Sequence, residues 1–99
     1  MANITSQVGN ASLSVTATAT GAIAGATVQF IDVALGRPVQ DAMEDMCNAF
    51  GIRRDNQYKA GTGRPKQKLQ FAGADVVMHL TFLQNGVHDG HSVVIVDVP

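Results

Sequence analysis

The chain has no tryptophan, one tyrosine and one cysteine in 99 residues. A single cysteine cannot close an intramolecular disulfide, which excludes the stapled framework of a small secreted domain. Long hydrophobic runs are also missing. A membrane span needs about 20 predominantly apolar residues, whereas residues 11–31 interleave Ser, Thr and Gly with small apolar side chains. No charged side chain precedes Asp32. A secretory leader needs a basic start and an unbroken apolar stretch, so the expectation is a cytoplasmic chain without membrane contact. The net charge of −1 argues against a protein that coats nucleic acid through bulk charge.

What is present is a 45% apolar, 15% charged chain, enough for one modest core and one domain. Residues 1–10 are polar and read as a loose N-terminal segment. Leu13, Val15, Ala17 and Ala19 then alternate with Ser12, Ser14, Thr16, Thr18 and Thr20, the period of a strand with one face inward. Gly21 to Gly25 bounds a turn. Residues 26–33 read as a second strand, in which Val28, Phe30 and Ile31 compete for the core, and the two strands form a hairpin.

From Pro38, a residue tolerated in the first helical turn, the spacing changes. Val39, Ala42, Met43, Met46, Ala49 and Phe50 recur at three and four residues, predicting a helix over about 38–50. Asp41, Glu44 and Asp45 lie toward its start, where the helix dipole favours negative charge, and Gly51 is a stop signal. Farther on, Lys68 to Phe71 reads as a short strand, Val76 to Met78 as another, and Thr81 to Leu83 as a helical turn. Gly86 to Gly90 is a tight turn. Ser92 to Val98 is a final strand apolar at both parities, which places it centrally in a sheet. The class is α+β: one domain over 11–99, with one helix packed on a small mixed sheet of 4–5 strands.

Phe50-Gly51-Ile52 followed by Arg53-Arg54-Asp55-Asn56-Gln57 resembles the helix stop of ubiquitin and the proline pair, Asp and two glutamines after it. Lys68-Leu69-Gln70-Phe71-Ala72-Gly73 is similar to its Arg-Leu-Ile-Phe-Ala-Gly strand and turn. The resemblance covers residues 37–57 and 68–99 and, by pattern alone, the hairpin. It implies the β-grasp fold of the ubiquitin-like proteins, with residues 58–67 as an inserted loop. Modifiers and sulfur carriers of that family end in Gly-Gly, whereas this chain ends Val94-Ile95-Val96-Asp97-Val98-Pro99. The expectation is a non-conjugated protein-interaction domain. The alternative is a modifier or sulfur carrier whose tail is missing here. Ubiquitin's receptor patch is only partly matched, because Gln70 stands at its central isoleucine position while Val96 keeps an apolar residue and Ile23 offers another.

Two candidate surfaces follow. If the helix covers Val93 and Ile95, then Val94, Val96 and Val98 face away from it, and with Gln70 and Ile23 they make a partner-binding face. The other surface is the segment 53–68, which holds six of the seven Lys and Arg residues (Arg53, Arg54, Lys59, Arg64, Lys66, Lys68) against Asp55 alone. It reads as a solvated loop, as a contact for an acidic protein face, or as an anion site through which a small accessory protein would grip nucleic acid. Tyr58 offers one stacking platform at most. Gly61-Thr62-Gly63-Arg64-Pro65-Lys66 lacks the GxxxxGK[ST] string of a nucleotide loop. His79, His88 and His91 give a weak metal signal, and Asp89-Gly90 is explained as turn chemistry. Cys47 reads as a small buried helix residue. No catalytic constellation stands out, so neither enzyme activity nor a cofactor is expected. Self-association is open through edge pairing of the charge-free first strand.

Overall fold

Hydrophobic alternation in the first and last strands sets the architecture. The computed structural model describes residues 10–23 and 25–99, so the expected loose N-terminal segment lies, but for Asn10, outside the described residues. Five strands, β1 (Asn10–Ala17), β2 (Val28–Ala34), β3 (Gln67–Phe71), β4 (Ala74–Asp75) and β5 (Ser92–Asp97), form one sheet in the order β2-β1-β5-β3-β4. Only β1 and β5 run parallel; the other pairs are antiparallel. Among the described residues one α-helix, α1 (Gln40–Ala49), covers a single face.

The inward parity of β1 holds throughout: Leu13, Val15 and Ala17 are buried, as is Ala19 beyond the strand. They meet Leu69, Val93 and Ile95 from the sheet and Val39, Met46, Cys47 and Phe50 from the helical segment, with Ile52, Phe82 and Val87 closing the ends. β5 lies at the centre, as its apolar run requires. The helix stops where the glycine predicts. Gly51 has φ +79°; its N–H donates to the Asn48 carbonyl (3.0 Å) and the Ile52 N–H to Cys47 (3.1 Å). That is a Schellman closure, and it needs a residue at ease in the left-handed region.

Four local expectations are corrected. Ile31 is 70% exposed, because Val28 and Phe30 take the inward parity of β2, and a bulge just after it brings Val33 rather than Asp32 to the core. Leu13 pairs with Phe30 but Ala11 pairs with Val33, and Asp32 at φ +59° absorbs the extra residue. The strand expected at 76–78 is instead Ala74–Asp75. Ala72 and Gly73 both have positive φ (+53° and +82°), forming a two-residue primed turn that reverses the chain at once. The helical turn falls at Leu83–Asn85 rather than 81–83. Finally, β1 is hydrogen-bonded on both sides, so it has no free edge for pairing with a second copy. No helix among the described residues is long and apolar enough to cross a membrane.

Candidate functional site

The sheet face opposite α1 is assembled by side-chain alternation. With Val93 and Ile95 buried, Val94 and Val96 take the other side, and Gln70 and Lys68 do so on β3 because Leu69 is buried. Cross-strand register lines them up. Thr16 faces Val94, Val94 faces Gln70 and Gln70 faces Asp75, while Val96 faces Lys68. Val98 continues the valine row beyond β5, its N–H donating to the Lys66 carbonyl (2.8 Å). Val94 and Val96 are half-buried and Val98 is exposed. The structure thus brings Gln70, Val94, Val96 and Val98 to one face, bordered by Ser14 and Thr16 on one side and by Lys68 on the other.

Ile23 does not join them. Its N–H donates to the Phe50 carbonyl (2.9 Å), and its side chain comes within 3.6 Å of where a Cβ on Gly51 would sit. The connection after β1 is therefore docked on the helix C-terminus, on the covered side of the sheet.

The polar border is organised around Asp75. Lys68 Nζ reaches Asp75 Oδ2 at 2.7 Å, and Gln70 Nε2 donates to Oδ1 at 3.0 Å. The Lys68 hydrogen bond first, and that of Gln70 second, hold the Asp75 carboxyl below its ordinary range. Lys68 is thereby drawn away from the basic segment and over the sheet, its side chain 21% exposed, which lets its aliphatic stem lie along the valine row.

The remaining cations divide further. Arg53 lies 3.9 Å from Asp55 and Arg54 lies 3.7 Å from Glu44, both pairs well exposed and worth little in stability. Lys59, Arg64 and Lys66 have no carboxylate partner among the described residues. They ride on an ordered excursion in place of an open loop. Tyr58 bridges Pro65, the Lys59 N–H donates to Arg64 (2.7 Å), and the Lys66 N–H donates to Gln57 (2.8 Å).

Two buried glutamines anchor this excursion, and neither was legible as a site residue. Gln57 Nε2 donates to Asn48 Oδ1 and to the Ile52 carbonyl, both at 2.9 Å. Gln67 Nε2 donates to the Asn56 carbonyl (3.0 Å), and its Oε1 accepts from Cys47 Sγ at 3.8 Å. Burial pushes the Cys47 thiol up to about 11, far from the range of a nucleophilic cysteine. The histidines are taken up locally: His91 stacks on Phe71 with ring centres 5.1 Å apart, and its Nδ1 accepts the His88 N–H (3.0 Å). Among the described residues no three His, Cys, Asp or Glu side chains converge as a metal site. Asp89 does more than turn the chain, since its Oδ1 accepts the Ser12 N–H at 2.7 Å.

No family model matches the sequence, and no curated protein is similar to it. Solved structures do match in shape. Ubiquitin from Caldiarchaeum subterraneum superposes with a TM-score of 0.64 at 18% identity, over 92% of this chain and 96% of that one. The ubiquitin-like domain of Plasmodium falciparum Dsk2 gives 0.65 at 16% identity, covering 90% and 99%. The N-terminal ubiquitin-like domain of the 4931431F19Rik protein gives 0.65 at 15% identity, covering 100% and 85%. The chain has the ubiquitin-like β-grasp fold.

Proposed function

We propose that this ubiquitin-like domain works by binding a protein partner without covalent attachment, through the open sheet face of Gln70, Val94, Val96 and Val98. The basic excursion of Lys59, Arg64 and Lys66 steers the approach. The observation that carries the reading is the valine row on the helix-free face, set beside side chains that Asp75 already holds in place. An apolar centre with a polar border is the composition of a protein interface, and ordering Lys68 and Gln70 beforehand lowers the entropy lost on binding. Unpaired cations outside the centre raise the association rate more than the affinity. The work assigned to the domain is recognition, with no chemical step.

The test is an affinity capture from the native host with half the beads washed in denaturant. Partners present only without denaturant support the reading. Adducts that survive denaturant contradict it and make the chain a covalent modifier.

A further inference from the structure

A second surface lies on the helix side of the sheet. Met43 and Cys47 from α1, Met78 from the segment before the Leu83–Asn85 turn, and Tyr58 and Pro65 from the excursion enclose a cleft of about 240 Å³. Its floor is apolar and sulfur-rich, the adaptable kind of lining that accommodates varied side chains. The polar groups beneath are already engaged: both amide hydrogens of Gln57 are donated within the chain, and Gln67 is bonded at both ends. The walls are set by backbone pairing, through the Tyr58–Pro65 bridge and the Gln40 N–H donating to the Met78 carbonyl (3.0 Å).

Volume and charge narrow the occupant. Sites for drug-sized molecules run about 300–1,000 Å³, so this cleft is sized for a single side chain. Lys59, Arg64 and Lys66 adjoin the wall residues Tyr58 and Pro65 in the chain, and no carboxylate of the described residues pairs with them. On the helix, Glu44 is turned to Arg54 and Asp41 to Arg37. The chain around the two wall residues is therefore positive and unmatched among the described residues.

We infer that this cleft takes one large apolar side chain (Leu, Met or Phe) from a peptide segment whose flanking residues are acidic. The anchor covers Met43 and Met78, and the flanking carboxylates meet the three cations of the excursion. The inference goes beyond the open-face reading and shares with it only those cations.

A random 12-residue peptide library displayed on phage and panned against the whole chain tests it. Selected peptides without Tyr or Trp are then titrated by intrinsic fluorescence. Tyr58 is the only tyrosine and there is no tryptophan, so the signal arises at the cleft lip. The expected result is a consensus of one apolar anchor between Asp or Glu residues, with Tyr58 emission changing on binding. Affinity should fall at least tenfold when the anchor becomes Ala, in Met43→Gln, and in the triple Lys59→Glu/Arg64→Glu/Lys66→Glu. Unchanged circular-dichroism melts for the two variants would show that they remain folded. Val96→Gln should leave peptide affinity unaltered even if the open-face reading fails. Selection without acidic bias, no enrichment, equal affinity for a peptide with neutral flanks, or loss in Val96→Gln but not in Met43→Gln would each overturn the inference.

Discussion

Lys68 and Asp75 are joined across β3 and β4 by the shortest ion pair in the described chain, 2.7 Å from Nζ to Oδ2. Six clustered cations in the sequence thereby divide into three groups, of which one, Arg53 and Arg54, lies beside Asp55 and Glu44. Lys68 belongs to the sheet face with Gln70 and the valines, while Lys59, Arg64 and Lys66 stay on the excursion. The same carboxylate orients Gln70, so one residue on a two-residue edge strand arranges the polar border of the proposed interface.

Asp75 should make stability depend on acid. Its carboxyl is held low in the folded state by Lys68 and then Gln70, so between the folded value and the ordinary one of about 4 the unfolded chain binds more protons. The contribution is fully present above the ordinary carboxylate value and is lost as pH falls through the lower folded value. Melting temperatures measured from pH 6 down to pH 2 should fall less steeply in Asp75→Asn than in the wild type. Parallel curves would show that the pair adds no linkage.

The β3–β4 turn is strained at one position. Ala72 sits at φ +53°, a region costing an L-residue with a plain side chain roughly 1–2 kcal/mol. Asn-Gly is the favoured pair for such a turn, so Ala72→Asn should stabilise the domain by about 0.5–1 kcal/mol. Urea denaturation with an unchanged m-value checks it.

Ile95 and Val96 are neighbours on β5 with opposite surroundings. Ile95 is fully buried, and Ile95→Ala should cost about 2–5 kcal/mol by leaving a cavity. Val96→Gln, on the open face, should cost no more than about 1 kcal/mol. Equal losses in thermal or chemical denaturation would contradict the assignment of the two faces.

Cys47 should react slowly. Burial raises its thiol from 9.0 to about 11, so near neutral pH it holds about a hundredfold less thiolate than an exposed cysteine. Iodoacetamide alkylation of the native chain, followed by mass, should be slower by at least that factor and should keep accelerating as pH rises toward 11. A rate matching a free thiol would contradict the burial.

Much of the fold was legible because it rests on local rules. Alternation at Leu13, Val15 and Ala17 marked the inner face of β1, the two-parity run of β5 put it at the sheet centre, and Gly51 ended the helix. Errors arose where one backbone angle resets the phase. Asp32 in the left-handed region shifted the inward parity of β2 to Val33, and Ala72 there began β4 two residues early. The candidate face was largely readable for the same reason, since a strand that buries Ile95 must present Val94 and Val96. Three features were not readable, because each depends on contacts distant in sequence. They are the turning of Lys68 to Asp75, the docking of Ile23 on Phe50, and the meeting of Met43, Met78 and Pro65 around a cleft.

The open sheet face is tested most directly by calorimetric titration. A purified partner from the capture fraction that denaturant releases would be titrated into the wild type and into Val94→Gln/Val96→Gln. The predicted result is a Kd raised at least about tenfold in the variant, some 1.4 kcal/mol, with a melt that still shows a folded domain. An unchanged Kd in a folded variant would contradict the account.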